Sequence, residues 1–287
     1  MIAVLKHELS GYFHSLTAYI FGAFLLAFVG IGAMIYNIQQ AVANFEYVLS
    51  FVSLIFVVLI PVLTMRVIAE ERKQRTDQLL YSLPITATQV VVGKYLALLT
   101  VYLIPLCIVS VYPWIFARYG EVYLITSYGS IAAFFIMGAA LISVGMFISS
   151  LTENLGFAAG ISVPVILLNY YSVSLAEHVS FTAFGAAAAL CIGCCLLGAV
   201  IYFLTRNGSL AYAVSFGLIL AVGAVYLIKP EIFENLLPEL MKKLSLFERF
   251  YTFVSGVFDL TSIVYYFTVI VFFLFLTVQS LEKRRYN

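Results

Sequence analysis

Long apolar runs recur from one end of this 287-residue chain to the other, with few charges between them. Each run of roughly 18 residues or more is long enough to cross a hydrocarbon core of about 30 Å as a helix. Lipid offers backbone N–H and C=O groups no partners, so only helices and closed barrels can span it. A barrel would alternate apolar and polar residues over about ten positions, and that alternation is missing here. Composition agrees, with 63% hydrophobic and 10% charged residues, against about 45–50% and about 25% in soluble domains. Mean hydropathy is +1.06. The sequence predicts an all-α, polytopic membrane bundle.

The runs place about eight spans, near residues 16–36, 47–65, 90–116, 126–149, 155–175, 182–204, 210–228 and 261–281. Ahead of them, Ile2, Leu5, Leu9 and Tyr12/Phe13 recur at helical spacing, which predicts an amphipathic helix over 1–15 lying on the inner surface. Lys6, His7, Glu8 and His14, with no small-residue cleavage site after them, argue against a cleavable signal. Between the last two spans, Ile232, Leu236, Leu240 and Leu244 share one face. Ser245-x-x-Glu248 then reads as a capping box and Gly256 as a stop. Residues 229–259 are thus expected to form outer amphipathic helices, either a lid over an exit or an interfacial spacer.

Basic residues orient the bundle. With the N-terminus inside, the inner segments hold Lys6, Arg66, Arg72, Lys73, Arg75, Lys94, Arg206, Lys283, Arg284 and Arg285, and the outer ones Arg118, Lys229, Lys242, Lys243 and Arg249. The positive-inside rule then puts both termini and the 66–94 loop in the cytoplasm.

That loop concentrates charge between the second and third spans. Glu71 and Arg75 stand four apart in the favourable order for a helical ion pair. Glu70 and Glu71 suit the positive end of a helix. Leu79, Leu80 and Leu83 give an apolar edge, Pro84 ends the helix, and Thr86-x-x-Gln89 has the form of a capping box that restarts one. The pattern is helix, break, helix. On its own it fits either a solvated loop that fixes topology or a handle for a soluble partner.

The spans themselves carry little chemistry. Glu46, Glu121, Glu153, Glu177 and Asp259 fall at span ends, whereas ion-coupled carriers need charges at depth. His7, His14 and His178 are poorly placed to serve a nucleophile. Gly93-Lys94 is followed by Tyr95, so the phosphate-loop pattern fails. Cys191, Cys194 and Cys195, like Cys107, read as small packing residues. Gly156-x-x-x-Gly160, and Gly138, Ala139 and Ser143, are expected to let helices approach closely within the chain. Pro61, Pro105, Pro113 and Pro164 are expected to kink spans two, three and five.

The stretch AEERKQRTDQLLYSLPITATQVVVGKYLA closely resembles the coupling-helix segment of type-2 ATP-binding-cassette (ABC) exporter permeases. More narrowly, it is similar to the subgroup annotated for gliding motility and multicopper-enzyme maturation. Matching positions are Glu70, Glu71, Arg72, Thr76, Leu79, Leu80, Pro84, Gly93 and Lys94. ISSLTENLGFAAG at 148–160 and the ending from FERFYTFVSGVFDL through LEKRRYN also match. Two positions depart: the family's glycine before the threonine is Arg75, and its acid two after the threonine is Gln78, beside Asp77. Family permeases usually have six spans, so 182–228 would be an added pair within a single permease domain over 1–287.

The resemblance implies a permease subunit, not itself an enzyme, in the bacterial cytoplasmic membrane. It implies export of an amphiphilic cargo, a peptide or lipid. An ATPase dimer would dock on residues 70–83, with Glu70, Glu71, Arg72, Lys73, Arg75, Thr76, Leu79, Leu80 and Pro84 as coupling residues. ATP would bind that partner, leaving this chain without a cofactor. A second permease subunit, identical or not, would complete the path, and nucleic acid is not an expected partner. The alternatives are a permease-like subunit acting mechanically on the envelope, or a membrane-embedded enzyme.

Overall fold

A computed structural model describes residues 2–76, 85–178, 183–205 and 207–286. Among them every regular element is helical. Among the described residues, five helices are long and apolar enough to cross a membrane, and the number rises to seven if two bent helix pairs each count as one span. The chain is a multi-pass helical membrane protein. Of the eight expected spans, the one near 182–204 coincides with the helix Ala183–Thr205, which is apolar over Ala183–Ala199.

The chain divides into two compact units, residues 1–170 with 249–285, and residues 171–248 with 286–287. In the first, α1 (Ile2–His14) precedes α2 (Leu16–Ala33), which runs on as a π-helical segment over Met34–Gln39. Next come α3 (Glu46–Ser53), α4 (Phe56–Thr64), α5 (Ala69–Gln74), α6 (Ala87–Val109), α7 (Val111–Phe116), α8 (Leu124–Leu151) and α9 (Leu155–Tyr170).

α8 is the axis of this unit, with 83% of its most apolar stretch buried. Its small residues permit that. A Cβ on Gly138 would lie 2.6 Å from the Tyr102 ring, and one on Gly145 would collide with Thr64. Tyr102 donates its hydroxyl to the Phe134 carbonyl at 2.8 Å. Around it, Phe56 meets Phe134 at 4.5 Å between ring centroids, and Phe250 lies 5.6 Å from Phe134. Large rings packed against glycines form the core. Glu46, expected at a span end, is buried and accepts the Ser127 hydroxyl at 2.9 Å.

The second span bends by 61°, but the bend lies between α3 and α4 and not at Pro61. At Leu54–Ile55 the amides of Ile55, Val57 and Val58 bond carbonyls only three residues back, the tighter 3₁₀ pattern. Pro105 and Pro164 lie inside continuous helices, and the third span breaks at Ser110, ahead of Pro113.

The second unit contains α10 (Ser172–His178), α11 (Ala183–Thr205), α12 (Gly208–Ile228), a 3₁₀ turn over Pro230–Phe233, and α13 (Leu236–Leu244). α11 and α12 form a hairpin so close that a Cβ on Gly198 would collide with Ser215. Within the stretch expected to form outer amphipathic helices, α13 is followed by a second short helix, α14 (Leu246–Val254). Ser245 accepts the Glu248 amide at 3.2 Å. Gly256, at φ +79°, ends α14 with its own amide on Phe253 and that of Val257 on Thr252, a Schellman closure. The last helix, α15 (Leu260–Tyr286), belongs chiefly to the first unit.

Candidate functional site

The charged segment expected as a handle is built into the first unit by three sets of polar contacts. α5 begins at Ala69 behind Ile68, whose side chain has no oxygen to cap it. The cap comes from α8. The Ser149 hydroxyl accepts the amides of Ile68 and Ala69 at 3.3 and 3.2 Å and donates to the Met65 carbonyl at 3.1 Å. Glu70 and Glu71 occupy the first turn, as expected for the positive end of a helix.

Arg66 grips Glu70 with a two-pronged guanidinium, Nε to Oε2 at 2.7 Å and Nη2 to Oε1 at 3.0 Å. Its Nη1 donates to Thr17 Oγ1 at 2.6 Å, which ties the start of α2 to the turn before α5. Lys94, near the start of α6, is only 1% exposed. Its ammonium donates to Glu71 Oε1 and Glu8 Oε1, both at 2.6 Å, and to the Val67 carbonyl at 3.2 Å. That uses all three of its protons. One buried cation thus joins α1, α5 and α6. Tyr12 packs beside this clasp, and burial, with the Glu8 charge adding, pushes its phenol well above the usual range.

The Glu71–Arg75 ion pair expected from spacing is replaced by Glu71–Lys94. Arg75 has turned into the left-handed region at φ 57°, ψ 20°, where it closes α5. The amide of Arg75 bonds the Arg72 carbonyl and that of Thr76 the Glu71 carbonyl, a second Schellman closure. This position normally takes glycine. Glycine is what the resembled segment carries there, and in this chain that residue ends the helix.

Of the expected coupling residues, Glu70, Glu71 and Arg72 face the bundle, whereas Lys73, Arg75 and Thr76 are exposed together with Gln74. Arg72 is 6% exposed and points its Nη2 at Ser280 Oγ, 3.5 Å away. Leu79, Leu80 and Pro84 lie outside the described residues. The capping box at the start of α6 is present, Thr86 Oγ1 accepting the Gln89 amide at 3.2 Å and Gln89 Oε1 accepting the Thr86 amide at 3.4 Å.

Among the described residues, no neighbouring helix packs against Gly156 or Gly160. Among the described residues a Cβ on Gly160 would meet nothing within 4 Å, and one on Gly156 only its own cap, Asn154. The residues missed by sequence reasoning are Glu8, Thr17 and Ser149. Glu8 left a signal: a carboxylate between Leu5, Leu9 and Tyr12 sits on the apolar stripe of α1 and needs a buried partner.

A family model described as ABC-2 family transporter protein matches residues 32–176, just over half of the chain. The chain belongs to the ABC-2 transporter family. No curated protein and no solved structure matches it.

As an ABC-2 family member it is a permease subunit of an ABC transporter, a class that normally works with an ABC ATPase subunit and is generally non-enzymatic itself. The ABC-2 match contains Arg66, Glu70, Glu71, Arg72, Lys94 and Ser149. Their partners Glu8, Thr17 and Ser280 lie on either side of it.

Proposed function

We propose that this permease exports an amphiphilic cargo, a peptide or lipid, using ATP hydrolysed by a separate ATPase dimer that docks on α5 and the residues after it. The observation that carries this reading is the two-sidedness of α5. Its Glu70–Glu71–Arg72 side is bonded into the bundle, while Lys73, Gln74, Arg75 and Thr76 remain exposed. A helix free on both sides could not transmit force, and one buried on both sides could not receive it. Two of the four exposed residues, Lys73 and Arg75, are basic and none is acidic, so the ATPase groove that takes them is acidic at its rim.

Force applied there reaches three helices through two polar nodes. Arg66 couples the turn before α5 to α2 through Thr17. Lys94, on α6, couples that helix to α5 and α1 through the carboxylates of Glu71 and Glu8. Buried charges of this kind add little net stability but fix which elements move together. In this reading the charged end of the bundle is cytoplasmic, as are both termini, and the membrane is the bacterial inner membrane. A second permease subunit faces this one. The similarity to the gliding-motility and multicopper-enzyme-maturation subgroup supports an envelope-related cargo.

The test is copurification with the cognate ATPase, followed by ATP turnover. Lys73→Glu with Arg75→Glu should release the ATPase. Glu71→Gln should retain it and depress turnover. An ATPase that stays bound to the Lys73→Glu/Arg75→Glu variant at wild-type level would overturn the docking surface.

A further inference from the structure

Arg72 matches the family's charged cluster, yet it is buried and cannot meet a docked subunit. Its guanidinium reaches α15 instead, Nη2 pointing at Ser280 Oγ at 3.5 Å. The Ser280 hydroxyl in turn donates to the Ser150 carbonyl at 3.0 Å, at the end of α8. One turn further along α15, Arg284 Nη2 lies 2.5 Å from Glu153 Oε1, in the corner between α8 and α9. Thr277, Ser280 and Leu281 are buried on the same face. Through most of its length α15 is a peripheral helix, with 17% of its most apolar stretch buried. Its polar end is the exception.

Neighbouring serines of α8 split the task. Ser149 caps α5 and Ser150 holds α15. The start of α5, the end of α8 and the end of α15 therefore share one polar junction. The Ser149 and Ser150 bonds in it span 3.0–3.3 Å and the Arg72–Ser280 contact is the longest at 3.5 Å, so rotation of α5 that moves Arg72 alters its contact with Ser280 first.

We propose that Arg72 is a positioning residue that transmits displacement of the ATPase-docked helix to the last span, with Ser280 as receiver and the Glu153–Arg284 pair as the fulcrum that keeps α15 in register. The last span then moves in the transport cycle although it lies outside the family-matched region. This rests on the reading that an ATPase docks on α5, and it adds a second output beside the Lys94 clasp.

The experiment uses the full chain coexpressed with its ATPase. Variants are Ser280→Ala, Arg72→Lys, Glu153→Arg, Arg284→Glu and the Glu153→Arg/Arg284→Glu double. Each is read for ATPase retained on copurification and for ATP turnover of the purified complex. Ser280→Ala, Arg72→Lys and both single reversals should keep the ATPase and lose about threefold or more in turnover, the scale of coupling-network changes. The double should recover turnover, which damage at either position unrelated to the pair would not do. Wild-type turnover by Ser280→Ala and by both single reversals, with the ATPase in place, sinks this inference alone. Loss of the ATPase from Ser280→Ala also sinks it, because α15 would then be shaping the docking surface. A wild-type chain that brings down no ATPase overturns both this inference and the function it rests on.

Discussion

Lys94 and Glu8 stand 86 residues apart in the chain and meet at 2.6 Å, with the lysine buried. An ammonium with two carboxylates around it leaves both carboxylates uncompensated when it is removed. Lys94→Ala should therefore lower stability by about 3–5 kcal/mol, seen as a lower melting temperature in detergent. Glu8→Gln should cost less, since Glu71 still holds the ammonium. A Lys94→Ala protein that melts with the wild type would show that the three-helix clasp does not form.

Arg75 at φ 57° occupies a conformation that an L-residue adopts at a cost of roughly 1–2 kcal/mol. Arg75→Gly should raise the melting temperature of the isolated chain, and Arg75→Val, β-branched, should lower it. Equal melting for Arg75→Gly and Arg75→Val would mean that α5 does not end in a left-handed residue.

Gly138 and Gly160 should respond oppositely to an added methyl. Gly138→Ala pushes a Cβ into the buried Tyr102 ring, an overpacking change of about 1–3 kcal/mol. Gly160→Ala meets open space among the described residues and should leave the melting temperature no lower. Crosslinking of Gly160→Ala against wild type would separately report any contact from a neighbouring subunit.

Asp259 caps α15, taking the Thr261 amide at 2.9 Å and the Ser262 amide and hydroxyl at 3.1 and 2.5 Å. The Ser262 hydroxyl bond leads in holding its carboxyl below the ordinary value. A lowered folded-state value means the carboxylate stabilises fully above its unfolded range, and that contribution fades as pH falls through the lowered one. The melting difference between wild type and Asp259→Ala should stay constant from neutral pH down to about 5 and shrink below about 4. A difference unchanged below that would show that the carboxylate is not what caps the helix.

The helices were legible because a bilayer leaves the backbone no other choice, and the capping residues Thr86, Ser245 and Gly256 because their signals are local. The Glu71–Arg75 pairing was misread for the same reason. Spacing of four favours it, but Arg75 left the helix and a lysine from the next helix was nearer. The clasp itself could not be read, because nothing in the neighbourhood of Lys94 names Glu8. The bend at Leu54 carries no proline and is made by a run of 3₁₀-type bonds that no local residue signals. Gly156-x-x-x-Gly160 says that a helix can be approached, not by what.

The polar junctions also set a limit on modular exchange. The family-matched stretch ends at residue 176 and begins at 32, yet Lys94 and Glu153 find Glu8 and Arg284 beyond those borders. A chimera grafted at the borders of the match would carry a lysine short of one of its two carboxylates and a glutamate without its arginine. The two ends of this chain must be inherited along with its middle.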